Sequence, residues 1–387
     1  MILVMQVEKN QKEHTLTSAD PLFDDIRPCT DAEVQSELNK IAKDDIVVDN
    51  ILKFRYPLLS KHLAFILKPI VKAVLKNKVS KFKTVEQFQN QVAEYMNHLI
   101  ATTTDGLELV GFDKLDPKEG YLFVSNHRDI ALDPAFIDIA LYRRNLETVR
   151  IAIGDNLLRL PAATSLMRLN KSFIVKRSVI SPRDKLKALN HLSAYIGLSV
   201  QEGHSVWIAE REGRAKDGDD KAESAVMKML GLYGRQLKMP FSDYMKSLKI
   251  VPVAITYEFD PNDLAKAREL DIREKNNGAY TKDKYEDIET IIRGIRDYKG
   301  RVKLVCGEPI VSGFETAEEL CELIDNFIYN NYEMYPSALL SAGLTDNISP
   351  EDKKKFEQRL QSYPEHLRER VCAMYAKPYF NKLNSVK

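Results

Sequence analysis

Residues 121–135, YLFVSNHRDIALDPA, decide the fold because they join a predicted buried strand to a predicted helix. The run Tyr121–Val124 is short, aromatic and apolar, which favours a strand. Asp133 followed by Pro134 is typical of a helix N-cap and the first helical position. His127 therefore lies at a strand-to-helix junction. In α/β proteins such junctions lie at the carboxyl ends of the strands, where active sites usually form.

The chain on either side of this junction alternates between short apolar runs and longer periodic segments. The predicted strands are 148–153, 172–176, 205–209, 250–257 and 302–306, and the helices between them are 135–141, 156–167 and 183–200. Because alternating strands and helices favour parallel pairing, we expect an α/β fold with a largely parallel sheet flanked by helices. Pro252 lies inside one strand, which predicts an edge position or a bulge there.

The two ends of the chain differ from this alternating centre. Residues 1–104 are predicted to be an N-terminal helical extension, with helices near 32–41, 63–75 and 84–100. Residues 105–312 are predicted to form the central domain, which opens with a turn-rich connection at 106–120. Residues 313–387 are predicted to be a helical C-terminal cap.

The composition excludes several classes of protein but does not indicate a function. The hydrophobic fraction of 44% is ordinary for a soluble domain, and a net charge of +1 gives no reason to expect nucleic acid. The four cysteines form no CxxC pair, so we predict reduced thiols, no metal site and a cytoplasmic protein. The opening apolar run, residues 1–5, lacks a basic leader and is not predicted to be a secretory signal. No run approaches the ~18 apolar residues that a spanning helix needs, so any membrane contact is expected at the surface.

Residues 61–83 have the pattern of a basic amphipathic helix. From Leu63 to Leu75 apolar side chains recur at helical spacing, while Lys68, Lys72 and Lys76 recur every fourth residue on another face. Such a helix can bury its apolar face in a lipid interface while its lysines meet anionic headgroups. The alternative is a helix packed on the core with a solvated lysine face, and the sequence leaves both open.

Two groups of charged residues follow predicted strands. Arg177 ends the strand at 172–176, and its planar guanidinium is suited to binding a phosphate or a carboxylate. The loop after the strand at 205–209 combines acids, bases and a flexible backbone in Glu212, Gly213, Arg214 and Lys216. Each group taken alone is equally well explained as a solvated loop.

The order and spacing of these pieces resemble the glycerophosphate/lysophosphatidate acyltransferase family over roughly residues 105–310. The first family motif is Asn-His with an Asp five residues after the His. The others are Phe-Ile-x-Arg, Phe-Pro-Glu-Gly-x-Arg and an aliphatic strand around a Pro. The residues that match are Asn126, His127, Arg177, Glu212, Gly213 and Pro252.

Two departures from the family pattern affect the site. Leu132 stands five residues after His127, so we take Asp133 as the motif's carboxylate and keep Asp129 as the alternative. The third motif lacks its Phe-Pro lead and is one residue shorter, so its phosphate-binding cation is either Arg214 or Lys216.

The resemblance implies an O-acyltransferase of phospholipid synthesis that moves a fatty acyl group from acyl-CoA or acyl carrier protein to a hydroxyl of a glycerophosphate or lysophospholipid. It implies His127 as general base, Asp133 or Asp129 as its partner, and as substrate-binding residues Asn126, Arg177, Glu212, Gly213, Arg214 and Lys216. It requires no metal or bound cofactor, and it favours a peripheral position at the cytoplasmic face of a membrane. The altered spacing keeps open a catalytically weak, membrane-associated lipid-binding protein of the same fold. An unrelated α/β hydrolase is disfavoured, since no GxSxG follows a predicted strand.

Overall fold

A seven-stranded sheet organises the chain. The structure is a computed structural model that describes residues 16–55, 57–158, 160–283 and 285–385. Its strands are β1 (Leu107–Val110), β2 (Leu122–Ser125), β3 (Arg150–Gly154), β4 (Ser172–Val175), β5 (Val206–Ala209), β6 (Ile250–Tyr257) and β7 (Val302–Cys306). They lie in the order β1-β7-β6-β2-β5-β3-β4.

Most neighbouring strands in this sheet are parallel. The pairs β6–β2, β2–β5, β5–β3 and β3–β4 are parallel, whereas β7 runs antiparallel to β6 and parallel to β1. The carboxyl ends of β2, β3, β4 and β5 therefore meet at one edge of the sheet, which positions the segments that follow them close together. The predicted α/β fold with a largely parallel sheet is confirmed.

Helices precede the sheet, cover it and follow it. The first four are α1 (Asp31–Lys43), α2 (Asp45–Arg55), α3 (Pro57–Val79) and α4 (Val85–Thr103). Those between strands are α5 (Leu132–Tyr142), α6 (Pro161–Leu169), α7 (Pro182–Gln201), α8 (Ser224–Leu230), α9 (Leu232–Gln236), α10 (Phe241–Ser247), α11 (Asp263–Lys275) and α12 (Glu286–Arg296). The last four are α13 (Ala317–Asn331), α14 (Pro336–Ser341), α15 (Pro350–Gln361) and α16 (Glu365–Ser385). Of the helices described, none is long and apolar enough to cross a membrane, and the opening run at residues 1–5 lies outside the described residues.

The sheet separates two apolar cores. Successive side chains of a strand point to opposite faces, so β2 contributes Leu122 and Val124 to one core and Phe123 to the other. Helices α7, α8 and α13 supply the first core, and α4 and α5 supply the second. Because both faces are covered, every residue of β2 is buried, which explains the apolar run Leu122–Val124.

Two predictions about strands are wrong. Residues 107–110, taken as part of a turn-rich connection, form β1, an edge strand whose side chains alternate between half-buried and exposed. Pro252 lies in β6, an inner strand, rather than at an edge. The ladder between β6 and β7 ends at the Val253–Cys306 pair, and Gly307 N–H donates to the Pro252 carbonyl. In a strand, the nitrogen and the carbonyl of one residue point to the same side. The nitrogen of Pro252 therefore faces the end of the β6–β7 ladder, where the lack of an N–H is tolerated.

The first described residues pack into the sheet domain. Phe23 and Ile26 are buried in the same core as Leu122, and the Ile174 N–H of β4 donates to the Ile26 carbonyl at 2.9 Å. Helix α1 packs against α6. A domain boundary at residue 104 stays a prediction, and these contacts show that the segment around residues 23–26 shares a core with the sheet.

Candidate active site

His127 and Asp133 form the centre of the candidate site, directly after β2. His127 Nδ1 lies 2.8 Å from Asp133 Oδ2. A carboxylate accepts hydrogen bonds, so this contact assigns the proton to Nδ1 and leaves the lone pair on Nε2. Asp133 is fully buried, whereas His127 keeps 13% of its side chain exposed and lines a cavity. This pair is arranged for general base chemistry.

The Asp133 carboxylate is held by three further donors. The backbone N–H groups of Arg128 and Asp129 donate to Oδ2 at 2.7 and 2.9 Å. The Tyr257 hydroxyl of β6 donates to Oδ1 at 2.8 Å. Burial and the neighbouring Asp133 charge raise the pKa of Tyr257 well above its usual value, so the hydroxyl remains a donor. Asp133 is therefore fixed in the orientation that meets His127.

Asp129 has a different role from the one considered in the sequence. Its Oδ1 accepts the N–H groups of Ala131 and Leu132, both at 2.9 Å, and its Oδ2 accepts the Asn262 amide at 3.3 Å. Helix α5 begins at Leu132, so the prediction that Asp133 is its N-cap is wrong, and Asp129 satisfies the first N–H groups instead. Burial raises the pKa of Asp129, and the charge of Asp133 adds to the shift. The structure places Asp133, rather than Asp129, against His127.

Asn126 does not reach the cavity. Its side chain is buried, its Nδ2 donates to the Ile255 carbonyl at 2.9 Å, and its Oδ1 accepts the Ile255 N–H at 2.8 Å. These two bonds join the end of β2 to β6. The geometry therefore favours a positioning role for Asn126 over the substrate contact expected from the sequence.

The cavity next to His127 has a volume of about 330 Å³ and an apolar side. The apolar side chains that line it include Val175, Leu189, Leu192, Ile208, Val226 and Met229. The Trp207 ring stands edge-on to the His127 imidazole with centroids 5.8 Å apart, and its Nε1 donates to Ser125 Oγ at 3.0 Å. The Trp207 side chain, on β5, thus packs against the imidazole of His127.

The charged residues predicted from the sequence line the same cavity. They are Arg177, Glu212, Gly213, Arg214 and Lys216. The Arg177 guanidinium lies 3.7 Å from the Glu212 carboxylate, at a partly exposed position. Gly154, at the end of β3, lies against this arginine, because a Cβ at Gly154 would come within 3.1 Å of Arg177 Cδ and 2.4 Å of Asn156 Oδ1. No sequence pattern indicates Gly154, because its role depends on a contact with Arg177 after the neighbouring strand.

Arg214 and Lys216 differ in what they already bind. Lys216 forms an ion pair with Glu269 of α11. Burial lowers the pKa of Lys216, although this ion pair opposes the shift. In the described part of the chain, the Arg214 side chain forms no hydrogen bond or ion pair. Gly213 adopts a φ of +79°, the left-handed conformation that turns the loop just before Arg214. Of the two alternatives, the contacts favour Arg214 as the cation available to a substrate anion.

A buried ion pair that the sequence analysis missed supports the loop after His127. Arg128 bonds to Asp220 and to the Gly218 carbonyl, and its guanidinium lies 5.3 Å from the centroid of the Tyr332 ring. Burial opposes the charge of Arg128, yet the carboxylate of Asp220 raises the Arg128 pKa overall. Glu210 is completely buried nearby, and burial raises its pKa well above the usual value, with the Asp220 charge adding to the shift. Arg128 and Asp220 are 92 positions apart, so no local pattern indicates the pair.

Comparison with known families assigns the central part of the chain. Residues 106–256 match a family model described as Acyltransferase. The stretch that carries the His127–Asp133 pair therefore matches an acyltransferase domain. The predicted family resemblance is confirmed.

Individual relatives are more distant. None of the curated proteins is a significant match to this chain. Among solved structures, the chain is similar to the 1-acyl-sn-glycerophosphate (LPA) acyltransferase PlsC from Thermotoga maritima, with 14% sequence identity and a TM-score of 0.35. That match covers 76% of this chain and 94% of the other.

Proposed function

We propose that this acyltransferase moves a fatty acyl group from a thioester to a hydroxyl of a phosphorylated glycerolipid, either glycerol-3-phosphate or a lysophospholipid. The observation that carries the proposal is the His127–Asp133 contact of 2.8 Å in the wall of a cavity that is apolar on one side. Arg177 and Arg214 line the same cavity and supply positive charge for a phosphate. One cavity thus offers a base, an apolar wall and cations.

The chemistry needs a proton acceptor at His127. As the acceptor oxygen attacks the thioester carbonyl carbon, its hydroxyl proton passes to His127 Nε2. Asp133 keeps the Nδ1–H in place and stabilises the imidazolium that forms. Collapse of the tetrahedral intermediate breaks the C–S bond, and the thiolate takes the proton back from Nε2. The attacking nucleophile is the substrate, so no enzyme Ser or Cys is required.

The remaining predicted residues would bind the two substrates. Arg177 would hold the acceptor phosphate, with Glu212 beside it to orient the guanidinium. Arg214, past the turn at Gly213, would contribute the second cation, while Lys216 stays paired with Glu269. The apolar wall would contact the acyl chain. Acyl-CoA and acyl carrier protein both present such a thioester, and both are candidate donors.

Thiol release from palmitoyl-CoA, with and without glycerol-3-phosphate or lysophosphatidate, tests this function. His127→Ala should lower acceptor-dependent release by about 10²-fold or more, since a general base contributes about 10²- to 10⁴-fold. His204→Ala is the matched control, because His204 also faces a carboxylate, Glu147 at 3.1 Å, but does not line the cavity. Full activity in His127→Ala would refute the mechanism.

The same assay with acylated carrier protein separates the two donors. Release from only one of them identifies the donor. Release from neither, with folded protein that still binds vesicles, would favour the lipid-binding alternative over catalysis.

We further propose a peripheral position at the cytoplasmic face of a membrane, with α3 at the lipid. Its exposed large apolar side chains are Phe65, Ile66, Ile70 and Val74, with exposed fractions from 46% to 76%. Lys68 and Lys72 instead face α2, where each lies 2.8 Å from a carboxylate, Asp49 and Asp45 respectively. This arrangement differs from both alternatives drawn from the sequence, since the apolar residues are exposed and two lysines pair with carboxylates of α2. The side chains at positions 61–64 lie outside the described residues.

The charges at the end of α3 fit the same orientation. Four exposed lysines lie at and after its C-terminal end: Lys76, Lys78, Lys81 and Lys83. Basic residues beside an apolar helix face add attraction to anionic lipid headgroups. Lipid contact through α3 would therefore combine its apolar face with these lysines.

A further inference from the structure

The connection between β4 and α7 forms a cationic rim at the cavity mouth. Residues 176–187, KRSVISPRDKLK, contain five basic side chains and one carboxylate, Asp184. We call this stretch the β4–α7 segment. Arg177 and Lys185, near its two ends, line the cavity beside His127. The segment therefore borders the cavity that the proposed substrates would occupy.

Two apolar side chains of the β4–α7 segment face solvent. Ile180 is 95% exposed, the highest value among the large apolar residues of the described chain, and Leu186 is 55% exposed. Isolated exposed apolar residues are common on proteins. Ile180 is unusual because it projects almost completely from a short tip whose surroundings are basic.

Contacts at both ends hold this tip outward. Asp155, after β3, accepts the backbone N–H groups of Arg177 and Ser178, each at 3.2 Å. Helix α7 begins at Pro182. Only residues 179–181 lie between these two anchors, so Ile180 is presented at the turn rather than folded onto the core.

Part of the positive charge of the segment remains available. In the described part of the chain, Arg183 and Lys185 form no ion pair, and Lys187 lies 3.4 Å from Asp184 with both side chains exposed. Lys176 is paired with Asp25. A partner of the tip would thus meet an apolar side chain surrounded by cations.

We propose that the β4–α7 segment docks on an anionic lipid bilayer, with Ile180 and Leu186 entering the interface and Arg183 and Lys187 meeting the headgroups. The proposal rests on the proposed function in one respect, which is that the acceptor is a membrane lipid. Docking of this segment would place Arg177 at the depth of the lipid headgroups, where the acceptor phosphate lies. This contact is separate from that of α3.

A bilayer explains the segment better than a protein partner does. A bilayer accepts any apolar side chain that projects from a charged rim, whereas a folded partner must offer a recess shaped for Ile180. An acidic carrier protein is the competing occupant, because its charge would also complement the cations. The experiment below separates the two.

The first test is sedimentation of the full chain with vesicles of phosphatidylcholine containing phosphatidylglycerol, compared with phosphatidylcholine alone. Ile180→Asp combined with Arg183→Glu should lower the partition coefficient on anionic vesicles by about tenfold or more. Val311→Asp combined with Lys354→Glu is the matched control, because it makes the same change of charge at two exposed positions outside the basic segment, and its binding should change less than twofold. Unchanged binding by the double variant would overturn the proposal. Arg183→Glu alone provides a second variant if the double variant has a lowered melting temperature.

Activity assays separate this proposal from failure of the proposed function. The double variant should keep wild-type thiol release with a dispersed short-chain lysophosphatidate and lose it with a long-chain acceptor presented in vesicles. If the wild type is inactive with both acceptors, the proposed function fails, while the vesicle sedimentation still decides the docking. If vesicle binding is retained and only the KM for acylated carrier protein rises, the segment docks that protein and the membrane proposal is wrong.

Discussion

Tyr257 helps to orient Asp133 through a side-chain hydroxyl, which can be removed without changing the backbone. Its hydroxyl is buried and supplies the only side-chain donor other than His127 that the described residues offer to Asp133. The other two donors are backbone N–H groups in the loop after His127. The hydroxyl reduces the negative charge that Asp133 can share with the imidazole.

Removing this hydroxyl should change the pH dependence of catalysis. In Tyr257→Phe, Asp133 shares more of its charge with His127, so the imidazolium is stabilised and the acid limb of the kcat/KM profile should move to higher pH. We expect kcat to fall by about tenfold or less, since the base itself remains. Tyr244→Phe, which removes a buried hydroxyl outside the site, should leave the profile unchanged. An identical profile in Tyr257→Phe would mean that the hydroxyl only supports the fold.

The two candidate carboxylates should separate cleanly by substitution. Asp133→Asn replaces an acceptor with an amide that no longer fixes the Nδ1–H tautomer, so kcat should fall by about 10³-fold or more. In Asp129→Asn the amide oxygen can still accept the N–H groups of Ala131 and Leu132, so kcat should stay within about tenfold and stability should change by about 1 kcal/mol. Steady-state kinetics and urea unfolding measure these effects. A larger loss of kcat in Asp129→Asn would reverse the assignment made here.

Helix α3 shows how contacts with a neighbouring helix determine which face of an amphipathic helix is exposed. The sequence shows apolar and basic residues at helical spacing but does not show which face meets the rest of the protein. The carboxylates of α2 decide the matter, because Asp45 and Asp49 take Lys72 and Lys68. The apolar face then remains exposed, while Lys68 and Lys72 are paired with α2.

Substitutions on the two faces of α3 should have different effects. Ile70→Asp with Val74→Asp should weaken sedimentation with anionic vesicles by about tenfold, because it places charges on the apolar face. Lys68→Glu with Lys72→Glu should act mainly by repelling α2, which would lower the unfolding midpoint more than it lowers vesicle binding. Vesicle binding that depends on the lysine pair and not on the apolar pair would contradict this orientation.

Stability of the whole molecule should depend on pH through Asp138. This carboxyl on α5 is buried and accepts the Val149 N–H at 2.9 Å, and burial raises its pKa from 3.8 to about 7. Between these values the folded protein keeps the proton and the unfolded chain has lost it, so raising the pH favours unfolding. The penalty is complete above pH 7 and absent below about pH 4.

The variant Asp138→Asn should remove this dependence. The asparagine oxygen can still accept the Val149 N–H, but no charge forms in the core. The stability gained over wild type should rise from about 2 kcal/mol at pH 5 to about 4 kcal/mol at pH 8. Urea unfolding at the two pH values measures the change, and an equal difference at both would refute the assignment to Asp138.

In the fold as a whole, the features that could be predicted are those that leave a local pattern in the sequence. The strands β2 to β7 and the parallel pairing follow from apolar runs that alternate with helices, and the edge strand β1 was missed because half of its side chains are exposed. Short motifs indicate His127, Arg177 and Glu212 as candidate site residues, and these three line one cavity. Contacts between distant segments, such as Tyr257 with Asp133 across 124 positions, leave no periodic or motif signal and were not found.

The segment around Ile26 also determines how this sheet meets other molecules. Strand β4 is one border of the sheet, and its Ile174 N–H is already taken by the Ile26 carbonyl. An open border would offer a template on which another chain could add a strand. Here the chain covers that border with its own backbone and anchors the cover with Phe23 in the core. Residues 23–26 thus shield part of this border from edge-to-edge pairing with another molecule.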